Sequence, residues 1–412
     1  MKGRIVALTT LKGGGFGAAL IVNSTLEDLI LDPPDSRPRT GEIYGAKVIR
    51  KGTKATGAFV DLGRDQHGFL REAKGVREGD WLLVQVSSQP EKGKAVPVST
   101  RLLYKHRLLI HTPGAPGINV SRQIRDADER ARLTAAVEAA AKPFLDVWHA
   151  SDDKAFDPDP DDAAAKRRRV IAHRGRMLDE GGIIVRAAAE GAPEDIIAQA
   201  LDWPLAARAN AEALLHQRHH TSAYGATHAL DEAINEWCHP IPDRILAGRH
   251  AELGLRKHAE TGQLDYAVAD RVEGTKGDPF DELGIWDMAA ALASPEVALP
   301  GGGSMVIEAT TALVAVDVNT GGDFAADAGI RANVEAARAL PRQLRLRGLG
   351  GQIVVDFAPM AKKDRLRLED TLKAALKRDP IETIAHGWTT LGLFELQRKR
   401  ERRPLVLPED LR

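Results

Sequence analysis

The sequence has 412 residues, with 57 Lys and Arg against 58 Asp and Glu, a formal net charge of -1. That balance excludes a generally basic nucleic-acid binder, although clustered charge can still make one. A single cysteine, Cys238, excludes an internal disulfide and any Cys-x-x-Cys metal site, and no run of about 18 apolar residues exists to predict a membrane span.

The length predicts about two to four domains. GRIVALTT and GAALIVNSTLEDLILD, separated by a glycine-rich turn, predict a β-hairpin at the start. The apolar run in MKGRIVALTTLKGGGFG is too short for a secretory leader. With the lone cysteine, this predicts a cytoplasmic protein. DPPDSRPRTG, from Asp32 to Gly41, reads as a loop and a boundary.

The next sixty residues hold short runs of β-branched and aromatic residues punctuated by glycine, the pattern of a small β-barrel. Phe59 and Phe69 stand near the ends of GAFVDLGRDQHGFL. On the outer face of an oligonucleotide-binding barrel such rings stack on bases; inside it they are core. Spacing does not separate the two readings.

From Ser121 the pattern turns helical. RQIRDADERARLTAAVEAAAKPFLDVWHA predicts one helix, SDDKAFDPDPDDAA an acidic loop, and AAAKRRRVIAHRGRMLDEGG a basic helix. The four cations from Lys166 to Arg169 fit a solvated helix face first and an RNA-facing surface second. GIIVRAAAEGAPEDIIAQAL predicts a strand and then a helix from near Pro193. In LLHQRHH, His216, His219 and His220 have metal-ligand spacing on a helix. No acid or cysteine partner accompanies them, so a surface or structural role is the expectation.

The last third is the most regular. LPGGGSMVIEAT and TALVAVDVNT predict strands, IRANVEAARALPRQLRLRGLGG a helix, QIVVDFAPM a strand, and KKDRLRLEDTLKAALKRDP a helix. Strand, helix and strand make a crossover unit with parallel strands. Asp317 and Asn319 share one face of the first strand, and Asp356 ends the second. Open α/β sheets hold ligands beyond the carboxyl ends of their strands. Two carboxylates there repel unless they share a cation or a proton, and hard oxygen ligands select Mg2+ or Mn2+. The competing reading is that each aspartate forms a turn or caps a helix. From Arg338 to Arg378 there are eleven Lys or Arg against four Asp or Glu, a surplus of seven (11 minus 4) that suits a polyanion or a solvated face.

MVIEATTALVAVDVNTGGDF followed by NVEAARALPRQLRLRGLGGQIVVDFAPM closely resembles the catalytic core of the ribonuclease E/G family. GEIYGAKVIR and GAFVDLGRDQHGFL resemble that family's S1 domain. GINVSRQIRDADERARL and GIIVRAAAEGA resemble its 5′-end sensor. The resemblance implies an α/β multidomain fold: an RNase H-like domain with an inserted S1 (OB-type) β-barrel and sensor region, then a DNase I-like catalytic domain. The implied divisions are 1–36 and 221–280 for the RNase H-like part, 37–103 for the barrel and 104–220 for the sensor region. The catalytic domain takes 281–400 and a basic tail 401–412.

The implied activity is Mg2+-dependent endoribonucleolytic cleavage of single-stranded RNA, in processing or decay, leaving 5′-phosphate and 3′-hydroxyl ends; Mn2+ is the alternative metal. Asp317 and Asp356 take the metal-ligand places, and Asn319 supports them. Phe59 and Phe69 take the places of RNA-contacting aromatics, Arg345 and Arg347 are basic residues placed to meet RNA, and Arg186 takes the place of the sensor arginine.

The sequence departs from the family pattern in four places. Ala187 follows Arg186 where a threonine hydroxyl is usual, and Lys105 or His106 falls near the place of a sensor glycine. Losing that hydroxyl costs about 1–3 kcal/mol of phosphate binding, so a weak 5′-monophosphate preference is expected. The Cys-Pro-x-Cys zinc-link segment is absent from these residues, so the expectation is no zinc-link site and, if the chain pairs, a homodimer not linked by zinc. The loop in VNTGGDF is short. Thr390 and Leu391 precede Gly392 where Arg-Phe is usual. These departures keep open a second reading, a catalytically weak or inactive RNA-binding protein of the same family. A DNA nuclease is a third, disfavoured by the S1-like barrel.

Overall fold

The computed structural model describes residues 3–32, 37–52, 57–91, 93–151, 163–220, 222–224, 229–322 and 325–407. The fold is mixed α/β, with four sheets among the described residues. Most of the acidic loop expected at SDDKAFDPDPDDAA, part of the loop after Asp32 and the end of the basic tail lie outside the described residues.

The chain opens with β1 (Arg4–Thr10), β2 (Phe16–Val22) and β3 (Thr25–Leu31), all antiparallel neighbours. The second apolar run is thus two strands rather than one. Asn23 and Ser24 break it with φ of 49° and 64°, the left-handed pair that a two-residue hairpin requires.

A barrel follows, made of β4 (Ile43–Lys51), β5 (Ala58–Gly63), β6 (Gln66–Leu70), β7 (Trp81–Val86) and β8 (Val96–Ser99). Its order is β4-β5-β6-β8-β7, closed by pairing of β7 with β4. Closure removes the edge strands, and period-2 alternation sends Ala58, Val60 and Leu62 into the core.

The next sheet joins β9 (Tyr104–Lys105), β10 (Leu109–Pro113), β11 (Gly117–Val120) and β12 (Gly181–Val185) in the order β11-β12-β10-β9. Helices α1 (Ala127–His149) and α2 (Ala163–Glu180) intervene before β12, and α3 (Glu194–His216) follows it. Asp126 starts α1 by accepting hydrogen bonds from the N–H groups of Asp128 and Glu129. One apolar cluster, including Leu133, Val137, Ile183 and Leu201, binds these helices to the sheet.

β13 (Ser222–Tyr224) pairs with β4, and α4 (Ala229–Glu232) then leads back to the first sheet. There β14 (Arg244–Ala247) and β15 (Val272–Gly274), with α5 (Arg249–Glu260) and α6 (Tyr266–Ala269) between them, complete the order β15-β14-β1-β2-β3. The first sheet is therefore built from segments on either side of the barrel and the helical region.

After α7 (Pro279–Glu282) and α8 (Ile285–Ala291), the last sheet has six strands. They are β16 (Glu296–Ala298), β17 (Ser304–Ala309), β18 (Val314–Asn319), β19 (Gly351–Asp356), β20 (Thr383–Trp388) and β21 (Phe394–Arg398), ordered β16-β17-β18-β19-β21-β20. β18 and β19 run parallel, joined through α9 (Ala328–Leu346), and α10 (Arg365–Arg378) follows β19. Ile330, Val334, Ala337 and Leu344 recur at helical spacing along α9 and pack, with Leu368, Leu372 and Leu376 of α10, on Val316, Val318, Ile353 and Val355. Both helices cover one face of the sheet.

Candidate active site

The covered face fixes what the other face can do. Along β18 the buried residues are Val314, Val316 and Val318, so Asp317 and Asn319 project from the opposite, exposed face. Along β19 Ile353 and Val355 are buried and Asp356 is exposed on that same side. Asp317 and Asp356 are direct Cα partners across the parallel pair. Neighbouring strands lie about 4.8 Å apart, so the two carboxylates are within reach of one shared cation. The amide Nδ2 of Asn319 donates to Oδ2 of Asp317 at 2.7 Å, and among the described residues the amide oxygen has no partner. Two carboxylates and one amide oxygen are hard donors of the kind Mg2+ takes while keeping its waters. Among the described residues no group of three or more His, Cys, Asp or Glu is placed to hold a metal.

The strand leads into Gly321, whose φ is 65°, and a Cβ there would meet the Gly302 carbonyl oxygen at 2.4 Å. The glycine is required by the turn and by the neighbouring backbone. Lys362 and Lys363 follow Asp356 by six and seven residues and are exposed. Arg365 stacks over Trp388 with its guanidinium 4.2 Å from the ring centroid.

Phe59 and Phe69 are outside the barrel core. They face each other across β5 and β6, are half-buried on the outer surface, and have ring centroids 5.2 Å apart. Arg50 lies over Phe59 at 4.8 Å. Phe59 and Arg50 open into a cleft of about 1290 Å3 between the barrel, β3 and the segment after β21, where Lys94, Arg402 and Arg403 also stand.

Arg345 and Arg347 are not at such a surface. The Arg345 guanidinium bridges Asp379 and the backbone carbonyl of Glu27, and its Nε lies 3.2 Å from Asp28. Arg347 donates to the carbonyls of Leu292 and Ser294. Both are buried, because the last turn of α9 meets β3 and the segment that follows α8. The expectation that they meet RNA is corrected to a structural role in that junction. Asp379 is also held by Arg398 at 2.9 Å, and Asp28 by Arg402. Sequence reasoning missed this ion network because its members lie far apart in the chain.

Arg186 follows β12 and is engaged within the protein. It donates to the carbonyls of His106 at 3.2 Å and Asn235 at 2.9 Å, and its Nη2 meets Glu236 at 2.7 Å. Glu236 was missed, since nothing local marks it as a partner. The Lys166–Arg169 run is exposed on α2. His220 packs on Trp81 at 4.5 Å and lies 3.7 Å from Asp61, while His216 and His219 are exposed, so LLHQRHH gathers no metal set.

A closed barrel carrying an outward aromatic pair, joined to a sheet with paired carboxylates at its strand ends, has the make-up of the RNA-processing class. Comparison makes the assignment specific. The family model described as "Ribonuclease E/G family" matches residues 161–401, more than half of the sequence, and the chain belongs to that family. It is 27% identical to Ribonuclease G of Salmonella typhimurium (strain SL1344), covering 93% of this chain and 77% of that protein. Against Ribonuclease G of Escherichia coli (strain K12) the identity is 26%, with the same coverage. Against Ribonuclease E of Escherichia coli (strain K12) it is 28%, over 93% of this chain and 35% of that protein. No helix among the described residues is long and apolar enough to cross a membrane.

Proposed function

We propose that the chain is a Mg2+-dependent endoribonuclease that cuts single-stranded RNA and leaves 5′-phosphate and 3′-hydroxyl ends. The observation that carries this reading is the Asp317–Asp356 pair with Asn319 hydrogen-bonded to Asp317. Asp317 and Asp356 would hold the cation, with Mn2+ as the alternative. When bound, the cation supplies Lewis-acid polarisation and lowers the pKa of its water. Asn319 fixes the orientation of the Asp317 carboxylate. Phe59 and Phe69 offer two rings for base stacking, which suits an unpaired strand. Lys362 and Lys363 add positive charge beside the strand ends.

On this reading the first sheet is an RNase H-like domain divided by the barrel and sensor regions, and the last sheet is a DNase I-like catalytic domain. A cytoplasmic setting accords with the single cysteine, which is free and buried.

The test is cleavage of a fluorescent AU-rich single-stranded RNA with Mg2+ and with EDTA, by wild type and Asp356→Asn. Internal cuts that need metal and vanish in the variant support the reading. Binding without cutting in Mg2+ turns it to the RNA-binding alternative.

A further inference from the structure

Part of the cation surplus between Arg338 and Arg378 lies on the helix side of the last sheet, away from the paired carboxylates. A groove of about 510 Å3 opens between α9, α10 and β3, lined by Arg338, Pro341, Arg342, Ala374 and Arg378. Arg338 on α9 and Arg378 on α10 are exposed, and neither pairs with any described residue. Arg342 spends one donor on the Leu26 carbonyl, at 2.9 Å, and keeps the rest. Arg345 closes the base of the groove, but its charge is met by Asp379 and Asp28. Asp379 is likewise committed, to Arg345 and Arg398. The remaining acid is Glu27, which approaches Arg345 no closer than 3.9 Å. Three open guanidinium groups therefore face one carboxylate.

A solvated helix face would spread these charges over a convex surface. Here they converge on a concavity of the size that takes a small ligand. Guanidinium forks match phosphate oxygens two at a time. Pro341, Ala374 and Ala375 keep the walls low and apolar, leaving room for a sugar or base edge. We propose that this groove is a second binding site, for the phosphate esters of nucleotides, either a free nucleotide or a stretch of RNA strand. It is remote from the candidate active site. Asp317 and Asp356 project from the opposite face of the sheet, and Arg338 to Arg345 lie about 15–25 Å along α9 from its first residue. The strand form of the proposal rests on the ribonuclease reading; the free-nucleotide form does not.

The experiment uses the full chain in EDTA, so that nothing is cut. The probes are a fluorescein-labelled 5′-hydroxyl single-stranded 12-mer oligoribonucleotide and adenosine 5′-monophosphate, each titrated across a salt series. Wild type is compared with R338E/R378E, R338K/R378K and, as a reference for the barrel surface, F59A. The double glutamate variant is expected to lose tenfold or more in affinity for at least one probe. For the oligonucleotide the salt slope should fall by about 1.4, the equivalent of two lost phosphate contacts. The lysine variant should recover part of the affinity, since it restores charge without the fork. Loss with the oligonucleotide alone identifies a strand, and loss with the mononucleotide identifies a free nucleotide. Unchanged affinity for both probes in R338E/R378E, or a wild type that binds neither, overturns the groove. Should wild type ignore the oligonucleotide while binding the mononucleotide through these arginines, the groove stands and the RNA reading fails.

Discussion

Asp317 on β18 and Asp356 on β19 are direct partners in the parallel pair of the last sheet, and Asn319 holds the first of them at 2.7 Å. The amide is not one of the paired charges; it orients one. Replacing such an orienting group typically costs 10–100-fold in metal affinity or activity. Asn319→Ala is therefore expected to lower cleavage by about that factor and to recover in part at raised Mg2+. Asp317→Asn is expected to abolish cleavage and leave RNA affinity intact. Cleavage rates against Mg2+ concentration, with filter binding alongside, check both; full activity in Asp317→Asn would falsify the assignment.

The aromatic pair separates binding from folding. Phe59 and Phe69 lie outside the barrel core, so truncating one removes little buried contact. Phe59→Ala is expected to cost about 0.5–1.5 kcal/mol of stability, the size of one aromatic pair. Its cost in RNA affinity is expected to be about 1–3 kcal/mol, the usual loss for one stacked base. Chemical denaturation and fluorescence anisotropy measure the two. A large fall in stability with unchanged affinity would return both rings to a packing role.

Much of this arrangement was legible in the sequence, and the reasons are local. Period-2 alternation in VAVDVN and QIVVD marks strands whose acids sit at one end, and the 3.6 period of IRANVEAARAL marks the crossover helix. The barrel was legible from short strands punctuated by glycine. Which way Phe59 points was not, because that depends on register against β6 and on closure by β7. Arg345 and Arg347 misled for the same reason. A cluster of arginines looks alike whether it meets solvent or docks on a neighbouring strand. What decides is that Asp28, 317 residues before Arg345, and Asp379, 34 after it, are folded against it.

That ion network makes its own prediction. Arg398 and Asp379 have side chains 0% and 1% exposed and are 2.9 Å apart. Removing one partner of a buried pair costs about 3–5 kcal/mol when the other charge is left uncompensated, and Arg345, which also holds Asp379, keeps the loss to the lower end of that range. Arg398→Leu is expected to destabilise by about 3 kcal/mol in urea, while the folded fraction binds RNA as before. An unchanged midpoint would show that the pair is solvated in solution.

Arg186 meets a carboxylate where the resemblance implied a phosphate. Glu236 holds its Nη2 at 2.7 Å, and Ala187 offers no hydroxyl beside it. A 5′-phosphate must displace Glu236 to reach the guanidinium. Wild type is expected to cut 5′-phosphorylated and 5′-hydroxyl oligonucleotides at rates within about tenfold of each other, a difference under 1.4 kcal/mol. Glu236→Gln, which keeps the shape and removes the charge, is expected to widen that ratio several-fold. If wild type already shows a large preference, Glu236 does not occupy the arginine in solution.

Two buried histidines set a pH dependence. The Nε2 of His111 accepts from Arg208 at 3.1 Å while its Nδ1–H faces the Gly182 carbonyl at 3.2 Å, so the ring is neutral. Burial, with Arg208 nearby, pushes its pKa down to about 4. His106 accepts the Leu108 N–H on Nδ1 at 3.2 Å, and burial beside Arg107 lowers it to about 4 as well. An unfolded histidine takes up its proton near pH 6.5, so the unfolded chain binds more protons than the folded one below that pH. Stability is therefore complete above pH 6.5 and falls as the pH drops toward 4. Each histidine should cost roughly 1 kcal/mol by pH 5.5 and between 2 and 3 kcal/mol by pH 4.5. Ordinary carboxylates do not titrate appreciably between pH 6.5 and 5.5, so histidines dominate that window, and His239, also lowered by burial, adds to the slope in the same direction. Urea denaturation at pH 7, 6, 5.5 and 5 measures the slope. Equal stability at pH 7 and pH 5.5 would mean that the two rings carry a proton in the folded protein or are reached by water.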